Sequence, residues 1–177
     1  PGMHSSQNEQ DSRLYGDMAK VPVLEPSDSK EAYLLTKEGL KISEQFDIPV
    51  ILRLTASISH TSSLVETAER HNTPYIQISK QPEKYVMLPP FCNQRRIDLL
   101  TRIENLRRFS DEFVFNTVEY NSAEIGIITS GISYQYVKEA MPEASVLKIA
   151  MTNPLPIQTI KSFSKKIKIL YVIEELE

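Results

Sequence analysis

The last third of the chain alternates short apolar runs with amphipathic stretches, and that order leaves few folds open. The runs are Ile125-Gly126-Ile127-Ile128-Thr129, Val146-Leu147-Lys148-Ile149-Ala150 and Ile167 to Ile173. Each is rich in β-branched residues and too short for a buried helix, so each is expected to be a strand covered on both faces. Between the first two, Ile132, Tyr136, Val137, Ala140 and Met141 form a helical stripe after a Ser130-Gly131 turn. Between the second and third, Pro156 suits the first turn of a helix running through Ile160 to about Lys165. Lys161, Lys165 and Lys166 complement the negative end of its dipole. Strand–helix–strand–helix–strand predicts a parallel, right-handed α/β layer.

The same grammar occurs near the start. Val21-Pro22-Val23-Leu24 is a short apolar run closed by Glu25-Pro26. Asp28 followed by Glu31 has the spacing of a capping box. Lys30 to Phe46 then places Leu35, Gly39, Ile42 and Phe46 on one helical face. Asp47 and Pro49 end that helix, and Val50-Ile51-Leu52-Arg53-Leu54-Thr55 reads as a buried strand. Residues 57 to 121 differ in character: serines and threonines, then Thr73-Pro74 and Leu88-Pro89-Pro90. A helix over about 92–109 is expected there, with Leu99, Leu100, Ile103, Leu106 and Phe109 in one stripe, so the region reads as a linker with one packed helix. Three parallel strands make a thin sheet with too little chain to cover it, and the fold is expected to be cut off at both ends.

A net charge of −3 gives no basic footprint for nucleic acid, and acidic residues punctuate the arginines between Arg95 and Arg108. No apolar run approaches the roughly 20 residues that span a membrane. No basic-then-apolar leader opens the sequence, so a cytoplasmic location is expected. Cys92 stands alone, without the paired spacing of a zinc or cluster site, and reads as a buried, inert thiol.

Chemistry is concentrated in His4-Ser5-Ser6-Gln7-Asn8-Glu9-Gln10-Asp11-Ser12-Arg13, a polar run that packing does not explain. His4 with Glu9 and Asp11 suggests acid–base work or a metal. One local histidine falls short of the three or four ligands a metal takes, which favours a polar lining or loop-folding role. Thr129-Ser130-Gly131 sits where helix N-termini bind phosphate, but no glycine-rich signature accompanies it, so turn and N-cap chemistry is expected. Glu174-Glu175 follows a parallel strand at the edge where α/β ligands gather, against a blander reading as a solvated cap for a following helix. His60 and His71 read as surface residues.

The run Pro1-Gly2-Met3-His4-Ser5-Ser6-Gln7-Asn8-Glu9-Gln10-Asp11-Ser12-Arg13 resembles a signature of the alpha subunit of indolepyruvate:ferredoxin oxidoreductase. The likeness continues at Leu24-Glu25-Pro26-Ser27-Asp28-Ser29, Pro49 to Thr55, Ile58-Ser59-His60, Lys84 to Pro89 and Tyr171 to Leu176, in the same order. The resemblance implies a thiamine-diphosphate enzyme that oxidatively decarboxylates aryl pyruvates to aryl-acetyl-CoA and reduces ferredoxin. It implies a beta subunit, ferredoxin, coenzyme A and aryl pyruvate as partners. Residues 1–56 would be the end of a pyrimidine-binding domain, 57–121 a linker, and 122–177 the start of a transketolase-C-like domain. Gln7, Asn8, Gln10 and Arg13 would neighbour thiamine and substrate, Arg13 being suited to a carboxylate by its planar fork.

The chain departs from the family pattern by omission. It has no Gly-Asp-Gly followed by paired asparagines for magnesium and diphosphate, no cysteine set for iron–sulfur clusters, and no upstream glutamate for the aminopyrimidine. The expectation is an internal fragment, inactive alone and holding no complete cofactor site. Two other readings stand beside it: a non-catalytic α/β interaction module, and the same chemistry on pyruvate or 2-oxoglutarate.

Overall fold

A computed structural model of the chain describes residues 10–70, 77 and 79–176. The elements in chain order are α1 (Arg13–Ala19), β1 (Val23–Leu24), α2 (Ser29–Phe46), β2 (Ile51–Leu52), α3 (Ala56–Ser59), α4 (Pro82–Tyr85) and α5 (Pro89–Glu112). Then follow β3 (Thr117–Glu119), β4 (Ile125–Ser130), α6 (Ser133–Ala140), β5 (Ser145–Ile149), β6 (Met151–Asn153), α7 (Ile157–Ser164) and β7 (Ile169–Ile173). The strands form two sheets, ordered β2-β1-β6 and β3-β5-β4-β7.

The expected helix near the start is present with its cap. The Asp28 side chain accepts from the Glu31 backbone N–H at 2.7 Å. Glu31 answers one residue earlier than a capping box would have it, accepting from the N–H and hydroxyl of Ser27 at 2.7 Å each. Leu35 and Ile42 of α2 are fully buried beneath β1, in a core with Leu24, Ile48, Leu106, Phe113 and Met151.

In the second sheet β4 runs parallel to both β5 and β7, as the alternation predicted. Alternation along the strands sends Ile127 and Val146 to one face against Val137 of α6. Ile128, Leu147 and Ile149 go to the other face, against Phe163 of α7. The two helices therefore cover both faces of the central strands, which corrects the expectation of too little covering chain. A fourth strand also corrects the count: β3 pairs antiparallel with β5, Val118 opposite Leu147. It comes from the region read as a linker, whose helix is also longer than expected at Pro89–Glu112. The second half of α5 packs into the core, with Leu106 buried and Phe109 set between Phe46 and Phe113 at ring distances of 5.2 and 5.6 Å. Leu100 falls off the stripe and is exposed.

One strand path joins the sheets. The chain leaves β5, passes Ala150, and enters β6, which pairs antiparallel with β1. Asn116 holds the crossing, its side-chain oxygen accepting from the N–H groups of Ala150 and Met151 at 2.8 and 3.0 Å. The Ala150 carbonyl accepts from Glu25 N–H at 2.7 Å. Beside it a buried Lys148 of β5 forms an ion pair with Glu31 of α2. Buried charges hold position when paired in this way.

Strand β7 is different. Its five residues, Ile169 to Ile173, are all apolar and all exposed, at the edge of the sheet. A bare apolar edge is a template for association. The chain expressed by itself is expected to self-associate, with sedimentation showing species above the monomer. A monodisperse monomer with a sharp cooperative thermal transition would contradict this.

Candidate functional site

Four strands deliver charged or conformationally special residues at their carboxyl ends. Glu25 follows β1, Arg53 follows β2, Gly131 follows β4, and Glu174-Glu175 follows β7. Because the crossing strand locks the sheets together, these ends meet around the start of α1.

Arg53 and Glu25 form an ion pair whose side chains are 5% and 4% exposed. Arg53 also donates through Nε to the Ser12 hydroxyl at 3.1 Å, which ties the polar run to the first sheet. The next residue, Arg13, reaches across to the second sheet and meets Glu174 Oε2 at 2.7 Å. Asp11 grips the other side of the same guanidinium, accepting from Nη2 at 2.6 Å and Nε at 2.9 Å, and from the Arg13 backbone N–H at 2.9 Å. The Ser57 hydroxyl of α3 donates to Glu175 Oε1 at 3.1 Å. Among the described residues, Glu25 Oε2 and Glu175 Oε2 are buried with no hydrogen-bond partner, as are the hydroxyls of Thr129 and Thr152.

These contacts set the protonation of the cluster. Burial pushes the Glu25 carboxyl above its usual value, with Glu174 and Glu175 adding to the rise and Arg53 and Arg13 opposing it. For Asp11 burial also acts upward, but the Arg13 hydrogen bonds and charge prevail and its carboxyl lies below the ordinary range. Arg13 is held charged, first by its bond to Asp11 and then by Glu174 against its own burial.

Beside this cluster lies a cleft of about 620 Å³. Its lining mixes the charged Asp11, Arg13, Asp17, Arg107 and Glu174 with the apolar Leu14, Ile149, Pro154, Leu155 and Ile157. It is roomy enough for a small organic ligand.

Of the residues singled out in the sequence, Gln7 and Asn8 lie outside the described residues, as do His4, Glu9 and His71. Gln10 is exposed, and Arg13 is at the centre of the cluster. The solvated-cap reading of Glu174-Glu175 is overturned, because both side chains are tied to residues of the first unit. Ser130 does not cap α6: the N-cap position is Ile132, with no side-chain cap bond, and Ser130 is buried at the strand end. The turn itself stands, with Gly131 at φ +55°. His60 is exposed at the end of α3, and Cys92 is half-buried, its thiol donating to the Leu88 carbonyl at 3.2 Å. Glu25 and Arg53 were missed as site residues. Their signal was available: each is a charge set directly against short apolar runs, where a strand end is expected.

No family model matches the chain. Sequence relatives do. The indolepyruvate oxidoreductase subunit IorA of Archaeoglobus fulgidus is 37% identical over 183 residues, covering 100% of this chain and 29% of the relative. The IorA subunits of Methanothermobacter marburgensis and Thermococcus kodakarensis are each 35% identical over all of this chain. Along its whole length the chain is similar to these IorA subunits. It spans 29–30% of the length of these relatives. In fold it is similar to a 2-oxoglutarate:ferredoxin oxidoreductase from Magnetococcus marinus, with a TM-score of 0.57 at 18% identity over 86% of this chain and 34% of the other. The chain is a mixed α/β unit, and no helix among its described residues is long and apolar enough to cross a membrane.

The geometry generates two expectations. A Cβ on Gly131 would stand 2.6 Å from Glu25 Oε1, in a backbone region L side chains avoid. Gly131→Ala is therefore expected to cost about 1–3 kcal/mol, read as a lowered urea midpoint. Asp11 contributes through a depressed carboxyl, so its stabilisation is present above the ordinary aspartate pKa of about 3.9 and is lost as pH falls through the lower native value. Wild type should exceed Asp11→Asn in urea midpoint near neutrality, the gap closing in acid. Glu25, raised by burial, works the opposite way and loses its contribution as pH rises.

Proposed function

We propose that this chain is part of the alpha subunit of an indolepyruvate:ferredoxin oxidoreductase, which oxidatively decarboxylates aryl pyruvates to aryl-acetyl-CoA and passes the electrons to ferredoxin. The observation that carries the reading is homology to IorA subunits along the full length of the chain at 35–37% identity. In this reading residues 1–56 close a pyrimidine-binding domain, 57–121 connect, and 122–177 begin a transketolase-C-like domain. The strand crossing from β5 to β6 makes those two units one packed body, which suits a segment that must hold a site between them.

Thiamine diphosphate, magnesium and iron–sulfur clusters belong to the complete enzyme. The chain has one cysteine, fewer than an iron–sulfur cluster takes, and no group of three metal-ligating side chains occurs among the described residues. The chain's own contribution is to set Asp11, Ser12 and Arg13 at the carboxyl ends of its strands, with Arg13 held charged by Asp11 and Glu174. Gln7, Asn8, Gln10 and Arg13 are assigned to the neighbourhood of thiamine and substrate. A beta subunit, ferredoxin and coenzyme A are the partners this implies, in a cytoplasmic setting.

The full-length alpha subunit containing this segment, assembled with its beta subunit, is expected to reduce ferredoxin in a reaction that needs both indolepyruvate and coenzyme A. Preference for pyruvate or 2-oxoglutarate over aryl pyruvates would overturn the substrate assignment. Absence of turnover on every 2-oxo acid would favour a non-catalytic interaction module.

A further inference from the structure

Every one of the five residues of β5 is buried, and one of them, Lys148, is charged. Well-packed apolar residues often replace a buried ion pair without loss of stability. The charge at this position is explained instead by what it holds. Lys148 pairs with Glu31 of α2, each side chain being 10% exposed, and its ammonium lies 5.2 Å from the centroid of the Tyr134 ring. That pair occupies Glu31 Oε1, while Glu31 Oε2 accepts from both the N–H and the hydroxyl of Ser27 at 2.7 Å. Ser27 stands two residues past Glu25, with Pro26 between them. A proline fixes its own φ and restricts the residue before it, so Glu25-Pro26-Ser27 is a stiff segment. The segment is fastened to the crossing strand path at two points. Glu25 N–H donates to the Ala150 carbonyl at 2.7 Å, and Ser27 reaches Lys148 through Glu31. One point would leave the segment free to pivot; two points fix its direction.

We propose that Lys148 is a positioning residue for the polar run. By holding Glu31 it sets the direction of Glu25-Pro26-Ser27, and that segment sets where the Glu25 carboxylate stands. Glu25 pairs with Arg53, and Arg53 Nε donates to the Ser12 hydroxyl at 3.1 Å. The placement thus passes from the second sheet to the first and on to Ser12, beside Arg13. The side-chain links from Lys148 to Arg53 all end on a carboxylate, and charge-assisted bonds of this kind are short and strong. Lys148 works from outside the run and needs no contact with a ligand. This inference rests on the proposed function, which sets the run near substrate, and adds to it a residue that governs the geometry of the run.

The test uses the complete alpha–beta enzyme with indolepyruvate as the probe. Lys148→Met removes the ammonium and keeps an unbranched apolar stem. It should raise the KM for indolepyruvate about tenfold, the size of one lost orienting contact. A merely structural defect reduces the amount of folded enzyme, which lowers the apparent kcat and leaves KM unmoved. Glu31→Gln should raise KM by a similar factor. The double variant should match Glu31→Gln alone, because residues that act in series are not additive. That double variant leaves no buried charge of the pair unbalanced, so it serves where Lys148→Met by itself fails to fold. Hydrogen exchange followed by mass spectrometry supplies a readout that needs no turnover. The amides of residues 10–15 should exchange about tenfold faster in the double variant than in wild type. Unchanged KM in the double variant, a further rise on adding Lys148→Met to Glu31→Gln, or unchanged exchange at residues 10–15 would overturn the proposal. The two readings fail separately. An enzyme inactive on every aryl pyruvate loses the proposed function, and the exchange measurement then decides the role of Lys148 by itself.

Discussion

The meeting of the two sheets depends on one strand path that changes from one to the other. From Ser145 to Asn153 the backbone is hydrogen-bonded first to β3 and β4 and then, past Ala150, to β1. A buried crossing of this kind exposes its backbone groups to an apolar surrounding unless something pairs with them. Asn116 supplies the acceptor for two N–H groups and Glu25 N–H supplies the donor for the Ala150 carbonyl. With those three bonds made, the sheets have a defined offset, and the carboxyl ends of β1, β2, β4 and β7 face a common volume.

That volume is filled by charge. Two arginines, Arg13 and Arg53, are set among Asp11, Glu25, Glu174 and Glu175. Burial of this many ionisable groups costs desolvation energy that pairing repays only in good geometry, so the cluster is weak as a source of stability. Its consequence is positional. Arg53 fixes Ser12 from the first sheet and Glu174 fixes Arg13 from the second, so adjacent residues of the polar run are held from opposite sides. Glu25 bears against Gly131, which leaves no room for a side chain at that turn. Carboxylate oxygens of Glu25 and Glu175 stay buried without a partner among the described residues, where buried polar groups are ordinarily paired.

Much of the architecture was legible in the residues because it is local. The Asp28 cap, the Leu35–Ile42 face of α2, and the order of β4, α6, β5, α7 and β7 each follow from periodicity and capping chemistry within a few turns of chain. The misses share a cause. Strands β3 and β6 are three residues each, too short to carry a period, and exist because a partner strand presents its edge. Helix α1 begins at the last residue of the run read for its polarity, and among its residues Gly16 is buried. Leu100 looks like part of the α5 stripe, yet the core that would receive it ends at Ile103.

The candidate site divides along the same line. The polar run, the paired glutamates after the last strand and the aptitude of Arg13 for a carboxylate are properties of residue type and order, and the sequence alone was enough to single them out. That Arg13 is clamped by Glu174, that Glu25 and Arg53 form a buried pair, and that Leu155 and Ile157 line one cleft with Arg13 and Glu174 are juxtapositions of residues far apart in the chain. No spacing rule encodes such contacts. They arise because a single extended segment pairs with two sheets at once, and only the folded chain, with its hydrogen bonds closed at Ala150, decides which strand ends meet.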